Sequence, residues 1–282
     1  MKKDAIEKFI LEFDTFSLYK QQEKISNVPN FIGVGAGRCG TTSIYRYLCE
    51  HPEVYMSPVK EINYFGFRDK ETNPYGITFS EYSNFFMGAE NEKIIGEISP
   101  AYLTLPTSSN QMKAYIPNVK IAITLRDPIS RMISQYKHHI SKHKINNINN
   151  YIQSGVKAYN EKTASSYRFN WFHPVKNLTQ SLYFDGVKRI LDNFPSQNIV
   201  IVKFDDLKND SNAVMKHLCD FLEIDYRDTA VSKSNASSKP DNVDIKIEEN
   251  VLNQLLKIYK GDLKKTEDMC GIELSSWLKK YE

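Results

Sequence analysis

Short apolar runs alternate with amphipathic segments along the chain, a pattern typical of α/β proteins. The apolar runs have the length of buried strands, and glycine, proline or asparagine residues bound them. They predict five strands, at residues 30–35, 54–56, 93–98, 119–125 and 198–204. The run at 119–125 is continuously apolar, which indicates a parallel strand covered on both faces. The sequence therefore predicts a single α/β domain with a central parallel sheet flanked by helices.

Helical periodicity appears between and after the predicted strands. It predicts helices at residues 41–50, about 129–143, 182–194, 214–222 and 252–259. Residues 146–180 are polar and weakly periodic, so we expect a substrate-side insertion or lid there. Residues 1–28 mix charges with bulky apolar side chains and predict an N-terminal helical extension, which leaves 29–282 as the main domain.

Composition limits the kind of protein this is. The chain has 282 residues, of which 41% are hydrophobic and 25% charged, as in an ordinary globular protein. Its net charge of +3 is too small to indicate a nucleic-acid partner by itself. No apolar stretch reaches the roughly 18 residues needed to span a membrane, and the first residues do not resemble a secretory signal. A cytoplasmic location is therefore expected, with the oligomeric state left open.

A glycine-rich turn follows the first predicted strand and leads into a helix. Such a turn cradles phosphate, because backbone N–H groups and the helix dipole both face the anion. The spacing Gly35-x4-Gly40-Thr41-Thr42 nearly matches the nucleotide P-loop, but Thr41 stands where that loop has lysine. The basic residue of the turn, Arg38, comes earlier. The turn predicts a P-loop-like domain with a phosphate-bearing ligand and argues against an ordinary kinase, although a plain tight turn is the alternative.

Arg126 and Ser134 form a second candidate anion site. Arg126 follows a predicted buried strand, the place where open α/β sheets bind ligands. Ser134 falls about two helical turns further on. Together they could hold a second phosphate through a guanidinium fork and a hydroxyl. The alternative for Arg126 is an ion pair with Asp127 or Asp205.

The four cysteines show no paired spacing, which favours reduced thiols over a disulfide or metal framework. Cys39 differs from the others because it lies in the glycine turn beside Arg38. A neighbouring positive charge would favour its thiolate, although the side chain could simply pack.

These motifs together resemble sulfotransferases that use 3′-phosphoadenosine 5′-phosphosulfate (PAPS). The glycine turn resembles their 5′-phosphosulfate loop, and Arg126-Asp-Pro-x5-Ser134 resembles their 3′-phosphate motif. Lys60-Glu61-x-x-Tyr-Phe65 is similar to the Lys-Glu-x-His-Phe-Phe segment of heparan-sulfate-type enzymes. Residues 96–102 are similar to their Glu-Lys-x-Pro-Ala-Tyr substrate-cleft segment. The likeness runs from about 29 to 277, including a C-terminal pattern, with the motifs in the family's order.

The resemblance implies which residues would bind the donor. Seven residues of the turn would hold the 5′-phosphosulfate, namely Gly37, Arg38, Cys39, Gly40, Thr41, Thr42 and Ser43. Arg126 and Ser134 would hold the 3′-phosphate. Lys239 would belong to a loop that closes over the donor, with Lys233 in reserve. No carboxylate cluster follows the turn to hold Mg²⁺, so transfer is expected to need no metal.

The resemblance also implies catalytic roles for three residues. Glu61 would be the general base on the acceptor, and Lys60 would neutralise the migrating sulfuryl group. Arg38 stands where the animal enzymes often have lysine. Because arginine does not give up its proton, Arg38 could only stabilise charge on the bridging oxygen.

Two departures from the family pattern affect this assignment. Asn63 replaces the histidine of one segment and Ile98 the lysine of the other. Glu61 would therefore act alone or with His138 or His139, for which a surface or supporting role is the alternative.

The acceptor is expected to be a carbohydrate hydroxyl or amine, on a glycan or glycolipid. Glu97, His138, Trp171 and Tyr183 are the candidate substrate contacts, since aromatic faces and polar side chains suit sugar rings. The aromatic residues near 146–183 would equally suit a lipid or peptide, or could simply pack together. Two other functions stay open: a P-loop kinase or NTPase, and a binding module on a catalytically degenerate fold.

Overall fold

In the part of the chain that the structure describes, five parallel strands form one sheet in the order β2-β3-β1-β4-β5. The strands are β1 (Phe31–Gly35), β2 (Val54–Met56), β3 (Ile94–Ile98), β4 (Lys120–Leu125) and β5 (Ile199–Lys203). The structure is a computed structural model that describes residues 27–66, 77–140, 147–164, 173–228 and 245–282. The predicted α/β domain with a central parallel sheet is confirmed, and each strand lies within one residue of its predicted bounds.

Helices flank the sheet. They are α1 (Thr41–Cys49), α2 (Phe79–Ser83), α3 (Ser108–Tyr115), α4 (Pro128–Ile140), α5 (Ile148–Asn160), α6 (Pro174–Thr179), α7 (Phe184–Asn193), α8 (Phe204–Asn209), α9 (Ser211–Leu222), α10 (Glu249–Cys270) and α11 (Ser276–Lys279). Single 3-10 turns occur at Asn84–Phe86, Pro100–Leu103 and Ser196–Asn198. The predicted N-terminal helix falls almost entirely on residues 1–26, which lie outside the described residues.

The sheet is buried on both faces, as the continuous apolar run at β4 indicates. Ile121 and Ile123 belong to one apolar cluster, while Ala122 between them belongs to the other. Successive side chains of a strand point to opposite faces, so both faces of β4 need apolar residues. Helices α1 and α9 cover one face, and α4, α7 and α10 cover the other.

Helix α5 lies in the segment predicted as an insertion or lid, and no helix was predicted there. The side chain of Asn147 caps it by accepting hydrogen bonds from the N–H groups of Asn149 and Asn150. Its buried face includes Ile152 and Val156, which join the cluster that also contains β1 residues. The many asparagines hid the helical spacing of these apolar residues. Asparagine disfavours the interior of a helix, although it is a good N-cap residue.

Candidate active site

The glycine turn joins β1 to α1 at the carboxyl edge of the sheet, where open α/β sheets bind ligands. Gly40 is the N-cap of α1, has a φ of 86°, and no side chain caps the helix. A Cβ atom at Gly40 would lie 2.6 Å from Cδ2 of Leu207, so space as well as backbone conformation requires glycine. An uncapped helix N-terminus preceded by such a turn has the geometry of an anion site.

The turn and the Arg126–Ser134 pair adjoin in the structure. Arg38 Nε donates a hydrogen bond to Ser134 Oγ over 3.1 Å, and Arg126 Nη1 donates to the carbonyl of Arg38 over 3.0 Å. Arg38 is exposed and has a φ of 76°, in the left-handed region that side chains rarely adopt. Two motifs predicted separately from the sequence therefore form one cationic site.

Arg126 is held by an aromatic ring as well as by the turn. Its guanidinium carbon lies 4.3 Å from the centroid of the ring of Phe204, the first residue of α8 directly after β5. Half-burial lowers the pKa of Arg126, but an arginine stays charged in proteins. Asp127 does not serve as its close ion-pair partner, because this carboxylate caps α4 at the N–H of Ile129 and pairs with Lys280 Nζ at 2.7 Å. The sequence analysis missed Phe204, whose place beside Arg126 depends on strand order.

Arg131 is a second arginine that the sequence analysis missed. It is fully buried on α4, and its Nη1 donates to the carbonyl of Gly37 over 3.2 Å. Its other partners are Ser181 Oγ and both oxygens of Asn177, so its described partners are all neutral oxygens. The sequence did contain one indication that Arg131 lies near the site. It is three residues before Ser134, so the two share a face of the helix.

Cys39 does not carry a thiolate. Its side chain is fully buried, and this burial raises the pKa of the thiol to about 11 despite the nearby charges of Arg131 and Arg126. Of the two alternatives for Cys39, the structure favours the packed thiol, because desolvation outweighs the attraction to positive charge. The side chain packs in the core, and only the backbone of Cys39 can face a ligand in the turn.

Lys60 and Glu61 form an ion pair in the segment that follows β2. Lys60 Nζ lies 2.9 Å from Glu61 Oε1, and the two side chains are 18% and 34% exposed. The N–H of Glu61 donates to the carbonyl of Ile98, the last residue of β3, over 3.0 Å. Because β3 runs parallel beside β1, the pair lies at the same edge of the sheet as the glycine turn.

Glu97 is buried inside the sheet and cannot contact a substrate in this structure. Its carboxylate accepts hydrogen bonds from Tyr82 at 2.7 Å, Tyr102 at 2.8 Å and Ser99 at 2.6 Å, and its side chain is 0% exposed. Burial raises the pKa of Glu97, while these hydroxyls and the charge of Lys60 act in the opposite direction. In this structure the predicted acceptor contact, Glu97, is therefore not accessible to an acceptor. The sequence did not indicate this, because it does not show which face of a strand a side chain lies on.

Tyr183, another predicted acceptor contact, is also buried and is not accessible to an acceptor in this structure. Its hydroxyl donates to the carbonyl of Arg126 over 2.6 Å, and its N–H donates to Asp262 Oδ2 over 2.6 Å. It therefore supports the strand end that carries Arg126. His138 is half-buried on α4, beyond Ser134. Ile98, at the position of the family's lysine, is buried in the core.

Several predicted site residues lie outside the described residues: Trp171, Lys233, Lys239 and the side chain of His139. Within the described ranges, the structure groups no three or more His, Cys, Asp or Glu side chains in a way that could hold a metal ion. The helices that it describes include none that is long and apolar enough to cross a bilayer.

Comparison with known proteins identifies relatives of one kind. The sequence model of the sulfotransferase domain family matches residues 29–264. The membrane-associated sulfotransferase kil1 of Dictyostelium discoideum is 25% identical over an alignment that covers 84% of this chain and 63% of that protein. The human bifunctional heparan sulfate N-deacetylase/N-sulfotransferase 3 is 24% identical over 73% of this chain and 24% of its own length. The chain thus spans less than two thirds of the length of these curated relatives.

A solved structure is similar over nearly the whole chain. The crystal structure of a sulfotransferase from Alicyclobacillus acidocaldarius aligns with a TM-score of 0.73 at 26% identity, covering 89% of this chain and 99% of that one. The sulfotransferase domain of a Synechococcus olefin synthase aligns with a TM-score of 0.51 at 15% identity and supports the fold alone.

Proposed function

We propose that this chain, which belongs to the sulfotransferase domain family, moves a sulfuryl group from PAPS to an acceptor hydroxyl or amine. The observation that carries the proposal is the hydrogen bond between Arg38 and Ser134, which joins the glycine turn to the Arg126 site. PAPS bears a 5′-phosphosulfate and a 3′-phosphate on one ribose. Two adjoining anion sites, each with an arginine, suit a ligand with that charge pattern.

Donor binding would use backbone and side-chain donors together. The 5′-phosphosulfate would lie on the uncapped first turn of α1, where Thr41, Thr42 and Ser43 supply N–H and hydroxyl donors with the backbone of Gly37 and Gly40. The 3′-phosphate would contact Arg126 and Ser134. Arg38, which now donates to Ser134, would then be available to the bridging oxygen of the phosphosulfate.

Transfer would proceed in line, as in phosphoryl transfer, with charge developing on the bridging oxygen and the migrating group. The acceptor oxygen or nitrogen forms a bond to sulfur as the bond from sulfur to the bridging oxygen breaks. The acceptor proton passes to Glu61, and adenosine 3′,5′-bisphosphate leaves. Lys60, held 2.9 Å from Glu61, keeps that carboxylate paired and places a positive charge beside the sulfuryl group.

We propose a glycan as the acceptor, with a hydroxyl or amine as the sulfated group. The support is the similarity to enzymes whose names specify heparan sulfate as substrate. The rival function, a P-loop kinase or NTPase, is disfavoured by Thr41 at the position of the P-loop lysine.

A calorimetric binding experiment separates these functions. We expect adenosine 3′,5′-bisphosphate to bind in the presence of EDTA, and ATP with Mg²⁺ to bind more weakly. Adenosine 5′-monophosphate, which lacks the 3′-phosphate, is the matched control ligand and should also bind more weakly. Tighter binding of ATP with Mg²⁺ would overturn the proposal in favour of a kinase or NTPase.

A further inference from the structure

Glu97 is a buried carboxylate for which the proposed chemistry has no direct use. It lies in β3, and three hydroxyl groups donate to it, from Tyr82, Ser99 and Tyr102. A buried carboxylate is costly, so a protein retains one where its hydrogen bonds serve a purpose.

Two of the three hydroxyls also bind the segment that carries the candidate base. Ser99 Oγ accepts a hydrogen bond from the N–H of Asn63 over 3.0 Å, and Tyr102 Oη accepts one from the N–H of Tyr64 over 2.8 Å. Each hydroxyl has a single proton, and that proton points at Glu97. The carboxylate therefore fixes the direction of both hydroxyls and, through them, of two backbone N–H groups.

The segment needs such support because its backbone is strained. Glu61 has a φ of 65°, in the left-handed region that is disfavoured for a glutamate, and Asn63 has a φ of 55°, which asparagine tolerates better. Two local contacts help to hold the segment: the N–H of Glu61 donates to Ile98, and Asn63 Nδ2 donates to the carbonyl of Glu61 over 2.8 Å. The hydroxyls of Ser99 and Tyr102 hold the residues that follow Glu61.

We propose that Glu97 is a positioning residue, which fixes the backbone of residues 61–64 through the hydroxyls of Ser99 and Tyr102 and thereby aims the carboxylate of Glu61. The catalytic part of this inference rests on the proposed function, whereas the positioning part does not. Tyr82 provides the comparison, because its hydroxyl donates to the same carboxylate, whereas its contact with the 61–64 segment is the stacking of its ring on Tyr64.

The test compares two tyrosine variants that both keep the aromatic ring, and only in Tyr102 does the lost hydroxyl accept a hydrogen bond from the 61–64 segment. Tyr102→Phe and Tyr82→Phe each remove one hydroxyl from Glu97, and both tyrosines are fully buried. Amide hydrogen exchange at single-residue resolution is the readout. We expect Tyr102→Phe to raise the exchange rate of the Tyr64 amide about tenfold, the factor that one ordinary hydrogen bond supplies. Tyr82→Phe should change it less than about threefold.

Ser99→Ala and Glu97→Gln extend the comparison. Ser99→Ala should raise exchange at the Asn63 amide about tenfold, and Glu97→Gln should raise exchange at both amides, since it offers N–H donors to hydroxyls that need acceptors. If Glu97→Gln unfolds the domain, the two tyrosine variants still decide. Equal effects of Tyr82→Phe and Tyr102→Phe, or no effect of either, would overturn the inference.

Sulfate transfer then tests the catalytic consequence. In Tyr102→Phe, the rate constant for transfer should fall about tenfold while the affinity for adenosine 3′,5′-bisphosphate stays unchanged. If the affinity for adenosine 3′,5′-bisphosphate fell as much as the rate constant, the variant would have disturbed the whole site. That result would contradict the positioning role. If the wild-type protein transfers no sulfate, the proposed function fails. The amide-exchange experiment would still test whether Glu97 fixes the backbone of residues 61–64.

Discussion

Two arginine side chains beside the glycine turn bind neutral groups in this structure. Arg131 donates to the carbonyl of Gly37, and Arg126 donates to the carbonyl of Arg38 while it stacks on Phe204. A guanidinium group that is removed from water and hydrogen-bonded to neutral oxygens interacts strongly with an arriving anion. These contacts hold the two positive charges in place before a ligand binds.

Replacing Arg126 by lysine tests whether its planar fork matters. Lysine keeps the charge but loses the bidentate geometry and the stacking on Phe204. We expect adenosine 3′,5′-bisphosphate to bind about tenfold to a hundredfold more weakly, the range for one charge-assisted hydrogen bond of about 1.5–3 kcal/mol. Calorimetry measures this change. The affinity for adenosine 5′-monophosphate is the control, and an equal loss for both ligands would contradict a role at the 3′-phosphate.

At the scale of helices and strands, the turn between β1 and α1 shows why one position requires glycine. Gly40 has a positive φ, and its missing Cβ leaves room for Leu207 of α8. A different glycine, Gly261, lies within α10 and has nothing within 4 Å of a Cβ position. The first glycine is required by the structure, and the second is not.

Alanine at these two positions should therefore have opposite effects on the free energy of unfolding. Gly40→Ala should lower it by about 2–6 kcal/mol, since strain and overpacking each cost about 1–3 kcal/mol. Gly261→Ala should raise it by about 0.5–1 kcal/mol, because alanine is the better helix former. Urea denaturation measures both. A stable Gly40→Ala variant would show that the turn does not have the described conformation.

Local patterns made some parts of this fold and site predictable. The strands and the glycine turn depend on neighbouring residues, so periodicity and spacing located them closely. Phe204 was missed because its contact with Arg126 depends on the order of strands, which spacing does not contain. The sequence identified three further residues as site candidates, but the structure buries their side chains: Glu97, Tyr183 and Cys39. A single sequence does not show which way a side chain points.

Across the whole fold, stability is linked to pH through Asp262. This half-buried carboxylate of α10 accepts hydrogen bonds from the N–H groups of Tyr183 and Phe184 at the start of α7. Burial raises its pKa from 3.8 to about 6. Between these values the folded state binds a proton that the unfolded state has released, so the contribution of Asp262 to stability falls as the pH rises from about 4 to 6.

Asp262→Asn should remove that contribution while keeping an oxygen to accept the two N–H groups. The difference in free energy of unfolding between wild type and variant should therefore shift in favour of the variant as the pH rises through this window. Urea denaturation at several pH values between 4 and 7 measures the difference. A constant difference would show that the pKa of Asp262 is not raised.

Transfer of labelled sulfate from PAPS, in the presence of EDTA, tests the central claim most directly. The acceptors are N-desulfated heparin, other glycans, glycolipids and tyrosine peptides, and the Glu61→Gln variant is the matched control. We predict that the wild-type protein labels a glycan, and that Glu61→Gln lowers the rate at least about a hundredfold, the usual contribution of a general base. This variant should still bind adenosine 3′,5′-bisphosphate normally. Absence of label on every acceptor, or undiminished transfer by Glu61→Gln, would contradict the account.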